Sequence, residues 1–299
     1  MNSARIVSAG LLLAALAAGT LADRPQSQPP LWIAGYRVLA ADFHVHSYPL
    51  SASTLAPWDL VLEARRQSLD AISITGHNQV EAGLWGRWFA RLVGGPTVIA
   101  GEEIHAPGYH LIAAGIHSTI SWRNTAAQSI AEIHAQGGVA IAAHPVRGSW
   151  PAFDPQTMAS LDASEIMQPI VWSYNYYGAR ELREFYQRAP LAAIGSSDYH
   201  GMGPLGICRT YVFARDDSEQ SILEAIRQRR TVVYDRDGRA WGDAALIQLA
   251  AGRLRDREPQ PSGPLDLFSR WCGLLGLIGT LISGNRVVYS AKEKEIVPK

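Results

Sequence analysis

The sequence predicts an α/β domain, with short strands alternating with helices around a parallel sheet or barrel and a hydrophobic segment at each end. Three observations predict it. Apolar runs of strand length alternate with helix-length stretches through the middle of the chain. Histidines and carboxylates recur at or near the ends of those runs. Polar, proline-bearing stretches set the middle apart from an apolar run on either side. The 299 residues, 47% hydrophobic and 18% charged, suffice for one large domain with a buried core.

The first apolar run, Ile6 to Ala22, follows Arg5 and ends at Asp23-Arg24-Pro25. One basic residue, an apolar core and Thr20-Leu21-Ala22 before a polar break read as an export signal. The run is also close to spanning length, so an uncleaved anchor fits as well. Residues 1–30 are thus a signal peptide or anchor plus linker. Candidate strands follow at Arg37–Phe43, Ala71–Thr75, Thr97–Glu103, Tyr109–Ile116, Gly138–Ala143, Ser164–Gln168, Leu191–Gly195 and Thr210–Phe213. Candidate helices lie at Pro57–Leu69, Val80–Leu92, Arg123–Gln136, Ala179–Arg188 and Ser218–Arg229. Pro57 opens the first at a position where its missing N–H is harmless. Gly137-Gly138 closes the third. These elements make up a domain over residues 31–250. A linker over 251–264 leads to a hydrophobic tail, 265–299, whose apolar stretch Trp271 to Gly284 is short for a span. The Trp at one end and basic residues on both sides (Arg270, Arg286, Lys292, Lys294) favour a membrane surface or span. If both segments cross, the domain between them lies outside. The expected location is exported, periplasmic or extracytoplasmic, in association with a membrane.

Lysine plus arginine balances aspartate plus glutamate, 27 each, so no global basic field is present and long nucleic acid is disfavoured as a partner. Cys208 and Cys272 are far apart and match no zinc-ribbon or C-x-x-C spacing.

The chemistry-bearing residues lie in short motifs. His44 and His46 sit at the end of the first long strand, two residues apart, and so share a face. His77 follows the second strand, Glu103 ends the third and His110 begins the next. His144 follows Ile141-Ala-Ala, and Asp198 and His200 follow the strand Leu191–Gly195. The C-terminal ends of barrel strands converge on one rim. Imidazole nitrogens and carboxylate oxygens there suit zinc, iron or manganese, and a carboxylate can bridge two cations.

Five pieces in order, H-x-H (His44/His46), T-x-H-N (Thr75–Asn78), G-x-E (Gly101–Glu103), A-H-P (Ala143–Pro145) and G-S-x-D-x-H (Gly195–His200), resemble the polymerase-and-histidinol-phosphatase (PHP) superfamily over about Ala41 to Arg229. The resemblance implies a distorted seven-stranded (β/α) barrel and a site of two or three divalent metals (Mn, Fe or Zn). It implies one cation on His44, His46, Glu103 and Asp198, a second on His77 and His200, and a third on His110, His144 and Glu103. It further implies hydrolysis of phosphoester bonds of a small substrate (nucleotide, sugar phosphate or short oligonucleotide end) by a metal-bound hydroxide. His44, His46, Glu103, Asp198, His200 and Arg147 are then the catalytic set. Amide or lactone hydrolysis, or a non-catalytic metal-binding domain, are the other readings.

Two departures thin the implied second site: Gly76 stands where the family commonly has Asp, and Ser51 where it often has a ligand. Alternation puts Glu102 and Glu103 on opposite faces, and the family pattern selects Glu103. His105, on the face of Glu103, is an alternative to His110. Arg147 could grip a phosphate with two parallel bonds, or form a surface ion pair, and Arg209 is a further anion-binding candidate. Glu165 lies within a strand and could orient a ligand histidine. The aromatics of Val171–Tyr177 could stack on a base or pack a loop. His117 and His134 read as structural.

Overall fold

The structure, a computed structural model, describes residues 3–22, 29–169, 171, 178–201, 203–254 and 263–293. The chain divides into two compact units, one of the two terminal segments and one spanning Gln26–Glu258.

The larger unit is a single mixed sheet. Its strands are β1 (Leu31–Ile33), β2 (Tyr36–Val45), β3 (Ala71–His77), β4 (Thr97–Ala106), β5 (Tyr109–Ala114), β6 (Val139–Ala142), β7 (Ala163–Met167), β8 (Ala192–Gly195), β9 (Thr210–Ala214), β10 (Thr231–Tyr234) and β11 (Ala240–Gly242). They run in the order β11-β10-β9-β2-β3-β4-β5-β6-β7-β8, with β1 paired on β2. The seven consecutive strands β2 to β8 are the expected barrel wall. The wall curls until it nearly closes: Gly195 N, at the end of β8, donates to Thr210 Oγ1 on β9 (2.9 Å), and a bridge joins Val45 to Tyr199. A Cβ on Gly195 would lie 2.8 Å from Val233 of β10 and 3.1 Å from the carbonyl of Arg209. Glycine is what permits that approach.

Every strand and helix expected in this unit forms, within a few residues of its expected bounds. The all-parallel arrangement does not hold. β5 runs antiparallel to both β4 and β6, and β9 antiparallel to β2. The two residues between β4 and β5 are too few for a crossover helix, so the chain turns back at Pro107-Gly108, with Gly108 at φ +100°. β1, β10, β11 and the helices Pro155–Ser160 and Ala244–Ala250 were not expected from the pattern; each is seven residues or shorter.

Alternation sorts the core into layers. Leu39, Ala41, Phe43, Ile99, Ile112, Ala114, Val139, Ile141, Ala163, Ala192, Ile194 and Val212 point to the interior of the wall. The helix Glu219–Arg227 adds Ile222, Leu223, Ala225 and Ile226 to that interior cluster. It plugs the end where the parallel strands begin: Thr97 Oγ1 donates to Asp217 O (2.5 Å), and Arg37 pairs with Asp217 (2.8 Å). Residues of opposite parity, such as Val38, Ala40, Ile72, Ile74 and Val98, pack outward under the helices. With one end plugged, the other is left for polar groups.

Glu102 and Glu103 fall on opposite faces as expected. Glu103 enters the interior, whereas Glu102 is buried outside the wall and accepts Ile120 N (2.6 Å) with Oε1, its Oε2 having no partner. Burial pushes the Glu102 carboxyl up to about 7, the hydrogen bond from Ile120 only partly offsetting it. The folded chain keeps this proton to near neutrality, while an unfolded glutamate loses it near 4.3. Stability therefore falls as pH rises between those values. Replacing Glu102 by Gln should raise the unfolding free energy by about 1–3 kcal/mol at pH 8 and change it little at pH 4; thermal melts at the two pH values check this.

Candidate metal centre

All eight expected ligands meet at the open end of the barrel. Glu103 is the hub. Its Oε2 lies 3.4 Å from His44 Nε2, 3.4 Å from His46 Nε2 and 3.1 Å from His77 Nε2. Its Oε1 lies 3.0 Å from His110 Nδ1 and 3.2 Å from His144 Nε2. Asp198 is a second centre: its Oδ1 lies 3.0 Å from His46 Nε2, 3.3 Å from His44 Nε2 and 3.4 Å from His200 Nδ1.

Local backbone irregularities bring these side chains inward. On β2, Phe43 points to the interior, so simple alternation would send His44 out. The pairing with β3 skips a residue between Asp42 and Val45. That bulge resets the parity, so that Val45 packs outward while His44 and His46 both face in. On β6, Ile141 and Ala143 are interior, and His144 follows with a left-handed backbone, φ +29°. Asp198 is left-handed as well, φ +47°. Such strain in non-glycine residues is concentrated at working sites. His110 owes its place to the reversal of β5, whose first residues lie at the rim where its antiparallel neighbours β4 and β6 end. His105 stands directly opposite His110 in the register, with ring centroids 3.9 Å apart. It is more exposed than His110 and forms a possible ligand group with His77 and Glu103.

A set of side chains orients the ligands. Glu165, fully buried, accepts from His44 Nδ1 (3.0 Å) and from the His144 backbone N–H (2.6 Å). Ser196 Oγ also donates to it. With Nδ1 committed to Glu165, His44 turns its Nε2 toward the cluster. His200 Nδ1 donates to the Asp198 carbonyl (2.9 Å), freeing its Nε2 in the same way. Gln168 donates to Asp198 Oδ2 (2.7 Å), leaving Oδ1 to face the imidazoles. Asp42 ties the two loops together: it accepts from the N–H groups of His44 (3.3 Å), Ser197 (3.0 Å) and Gly206 (2.9 Å). Burial pushes Asp42 up to about 6 despite those bonds. Glu165 was expected in its role. Gln168 and Asp42 were not, because neither carries a motif, although Asp42 sits two residues before His44.

The residues fit divalent cations. Asp198 Oδ1 and His110 Nδ1 are buried and make no hydrogen bond among the described residues, although each has an opposing group at 3.0 Å. His44 and His46 Nε2 lie 3.0 Å apart, two nitrogens that can share one proton at most. Lone pairs directed into a common space, rather than at donors, are what a cation site requires. Groups of three ligands with mutually close donor atoms are His44-His46-Glu103, His44-His144-Asp198, His46-His77-His200, Glu103-His110-His144 and His77-Glu103-His105.

Charge is coupled across the cluster. Burial disfavours a charged His44, but Asp198, Glu165 and Glu103 outweigh it and hold its pKa well above the ordinary imidazole value. Burial pushes His46 down to about 4, reinforced by His44 and only partly relieved by Asp198 and Glu103. Burial also works against the Glu103 carboxylate, yet His44 and the adjacent His110 and His144 rings keep it well below the usual range.

The two departures from the family pattern have occupants. Ser51 Oγ lies 3.0 Å from His46 Nδ1 and 2.9 Å from His77 Nδ1. One hydroxyl oxygen can accept twice and still donate once, so it can hold both rings with Nε2 inward. A Cβ on Gly76 would strike the Gln79 amide, 1.6 Å from Nε2 and 2.7 Å from Cδ. Gln79 fills that space while its Oε1 accepts Ala82 N (3.1 Å) at the start of the helix Glu81–Val93.

Arg147 is not drawn into the cluster. It is half-exposed, and its partners among the described residues are Glu184 (3.0 Å), Glu181 (3.8 Å) and the Trp150 ring. The ion-pair reading therefore describes it, and the anion grip does not. Arg209 is buried and donates to the carbonyls of Gly206 and Gln67. His134 pairs with Asp162 (2.8 Å) and His117 with Gln136 (2.7 Å). Of the aromatic run after β7, residues 172–177 lie outside the described residues.

A family model described as PHP-associated matches residues 179–231, the stretch from the helix Gly178–Tyr186 to the plug helix. A two-domain protein from Bacteroides vulgatus containing a predicted PHP-like metal-dependent phosphoesterase shares the fold, at 24% identity and TM-score 0.55, over 71% of this chain and 69% of that one. The chain thus has a PHP-like fold and carries a PHP-associated stretch. Two further structures are similar to this chain. One is a putative metal-dependent phosphoesterase from Bifidobacterium adolescentis, with 18% identity and TM-score 0.46 over 62% of this chain and 96% of that one. The other is an amidohydrolase from Chromobacterium violaceum with bound sulfate and no metal, with 14% identity and TM-score 0.46 over 56% and 89%. No curated protein matches the chain.

Cation uptake requires His44 to give up its proton, so loading should release protons and affinity should rise with pH from about 5 to 8. Calorimetric titration with Mn²⁺ or Zn²⁺ in two buffers of different ionisation heat reads the release directly. Replacing Ser51 by Ala should free both rings and lower the affinity of the weakest-held cation about tenfold, measured as metal content after dialysis.

Proposed function

We propose that this chain is a metal-dependent hydrolase of the PHP type that cleaves phosphoester bonds in a small phosphorylated substrate, such as a nucleotide, a sugar phosphate or a short oligonucleotide end. The observation that carries the reading is the convergence of Glu103, Asp198 and six imidazoles on one buried space, with lone pairs unspent on hydrogen bonds.

Two or three divalent cations (Mn, Fe or Zn) are the expected complement. His44, His46, Glu103 and Asp198 would hold one, His77 and His200 a second, His110, His144 and Glu103 a third. Bound there, they would supply charge neutralisation at the phosphoryl oxygens and a nucleophile from water at neutral pH. The chain's own residues supply position. Glu165 fixes His44 and the His144 backbone, Gln168 fixes Asp198, and Ser51 spans His46 and His77. A site held this rigidly satisfies the demand of phosphoryl transfer, in which placement and electrostatics account for most of the acceleration. Arg147 and Arg209 have other partners, and the rings of His77, His110 and His200, partly exposed at the rim, are the imidazoles best placed to meet an entering substrate. The balanced net charge accords with a small substrate rather than a long polyanion.

The test is hydrolysis of a panel of phosphomonoesters and phosphodiesters by metal-loaded protein. Turnover is expected, with Asp198→Asn and His44→Ala each reducing kcat/KM at least a hundredfold. Inorganic phosphate should inhibit where carboxylate analogues do not. Cleavage of amides or lactones alone would support the other hydrolytic reading. A metal-loaded protein inert across the panel would favour a non-catalytic domain.

A further inference from the structure

We propose that the helix Ser3–Ala22 is a retained membrane anchor, paired antiparallel with the helix Pro264–Glu293 across a seam of small residues, rather than an export signal that is removed. Each helix is long and apolar enough to cross a bilayer. The second reaches that length because it starts at Pro264 rather than at Trp271, so that Leu265, Leu267 and Phe268 join the apolar stretch.

The contacts between the two follow a helical period. Gly19 meets Ser269, Ala15 meets Gly273, Leu12 meets Gly276, and Ser8 meets Gly279. Arg5 donates to the Ser283 carbonyl (3.4 Å). Steps of three and four on both sides keep the contacts on one face of each helix. The glycines are needed there. A Cβ on Gly276 would lie 2.9 Å from the Leu12 side chain and 3.1 Å from its backbone nitrogen, and one on Gly279 would strike Ser8 Oγ. Ser269 Oγ donates across the seam to the Ala15 carbonyl (2.8 Å). Small residues that let backbones approach, with a hydroxyl bonding across, are how helices associate in lipid.

The distribution of polarity also points to lipid. Ser8, Ala18, Cys272 and Ser283 are buried in this unit, whereas Leu13, Leu16, Leu275, Leu277, Leu281 and Ile282 are each more than half exposed. A water-soluble pair would bury its leucines and expose its serines. Loss of the first helix would strip the partner from the glycine face of the second.

The pairing also sets orientation. Arg5 lies at the end where the second helix passes Ser283, and the sequence beyond carries Arg286, Lys292 and Lys294. At the other end, Asp23 and Arg24, and Asp266 and Arg270, offset one another. The positive-inside rule places the first end in the cytoplasm. The segment Gln26–Glu258, which connects the opposite ends, is then outside.

The seam predicts a disulfide. The Cβ of residue 19 would lie 4.0 Å from Ser269 Cβ, within the span of a cystine bridge. The full chain would be expressed in a bacterial membrane, with Gly19→Cys and Ser269→Cys introduced over Cys208→Ala and Cys272→Ala. After mild oxidation and proteolytic cutting within 26–258, the two terminal fragments should remain linked until reduced. Either single-cysteine chain should give no linked fragments, and adding Gly276→Leu should cut linkage several-fold. Intact mass of the unaltered membrane-extracted chain should include residues 3–22, and protease added outside the cytoplasmic membrane should reach the middle segment. A mature chain beginning after Ala22 would overturn retention. A retained chain whose fragments separate, or whose linkage is indifferent to Gly276→Leu, would overturn the seam. Protection of the middle segment would overturn the orientation.

Discussion

Two carboxylates buried among six imidazoles form the constraint on which the rest of the larger unit depends. A buried carboxylate is costly unless it is paired or bound to a metal. Glu103 meets this by setting its two oxygens against five rings, and Asp198 by presenting one oxygen to three while Gln168 holds the other. The coupling explains why neighbouring histidines diverge. His44 is raised against its burial by three carboxylates, whereas burial pushes His46, two residues on, the other way, with the neighbouring His44 adding to it. Such a cluster is poised to exchange protons for cations.

The barrel serves that cluster through its irregularities more than through its regular parts. The bulge in β2, the left-handed residues His144 and Asp198, and the reversal of β5 each place one or two ligands where regular alternation would not. The plug helix Glu219–Arg227 fills the opposite end with Ile222, Leu223 and Ile226, so the apolar core and the polar site share one barrel without mixing. The loops at the site end are braced in turn by Asp42, which accepts three backbone N–H groups from two separate segments.

The terminal unit follows the opposite packing logic. Its small and polar residues lie inside and its leucines outside, which suits a solvent of hydrocarbon as well as the apolar interior of the barrel suits water.

Sequence alone determined the order of β2 to β9 and of the larger unit's five longer helices, the eight residues that meet at the open end of the barrel and the opposite placement of Glu102 and Glu103. These follow from local hydrophobic period and from motifs of adjacent residues. It also pointed to Glu165 as the partner of a ligand histidine. What it left open depended on distance in space rather than in sequence. The antiparallel course of β5 came from a turn at Pro107-Gly108 that the period of the flanking runs does not encode. Ser51 read as a lost ligand until folding set its hydroxyl between two rings, and Gly76 as a gap until Gln79 filled it. Arg147 stood near the rim in sequence, but the helix Gly178–Tyr186 offered it two carboxylates. A side chain's partner is decided by which elements pack together, and only the tertiary structure decides that.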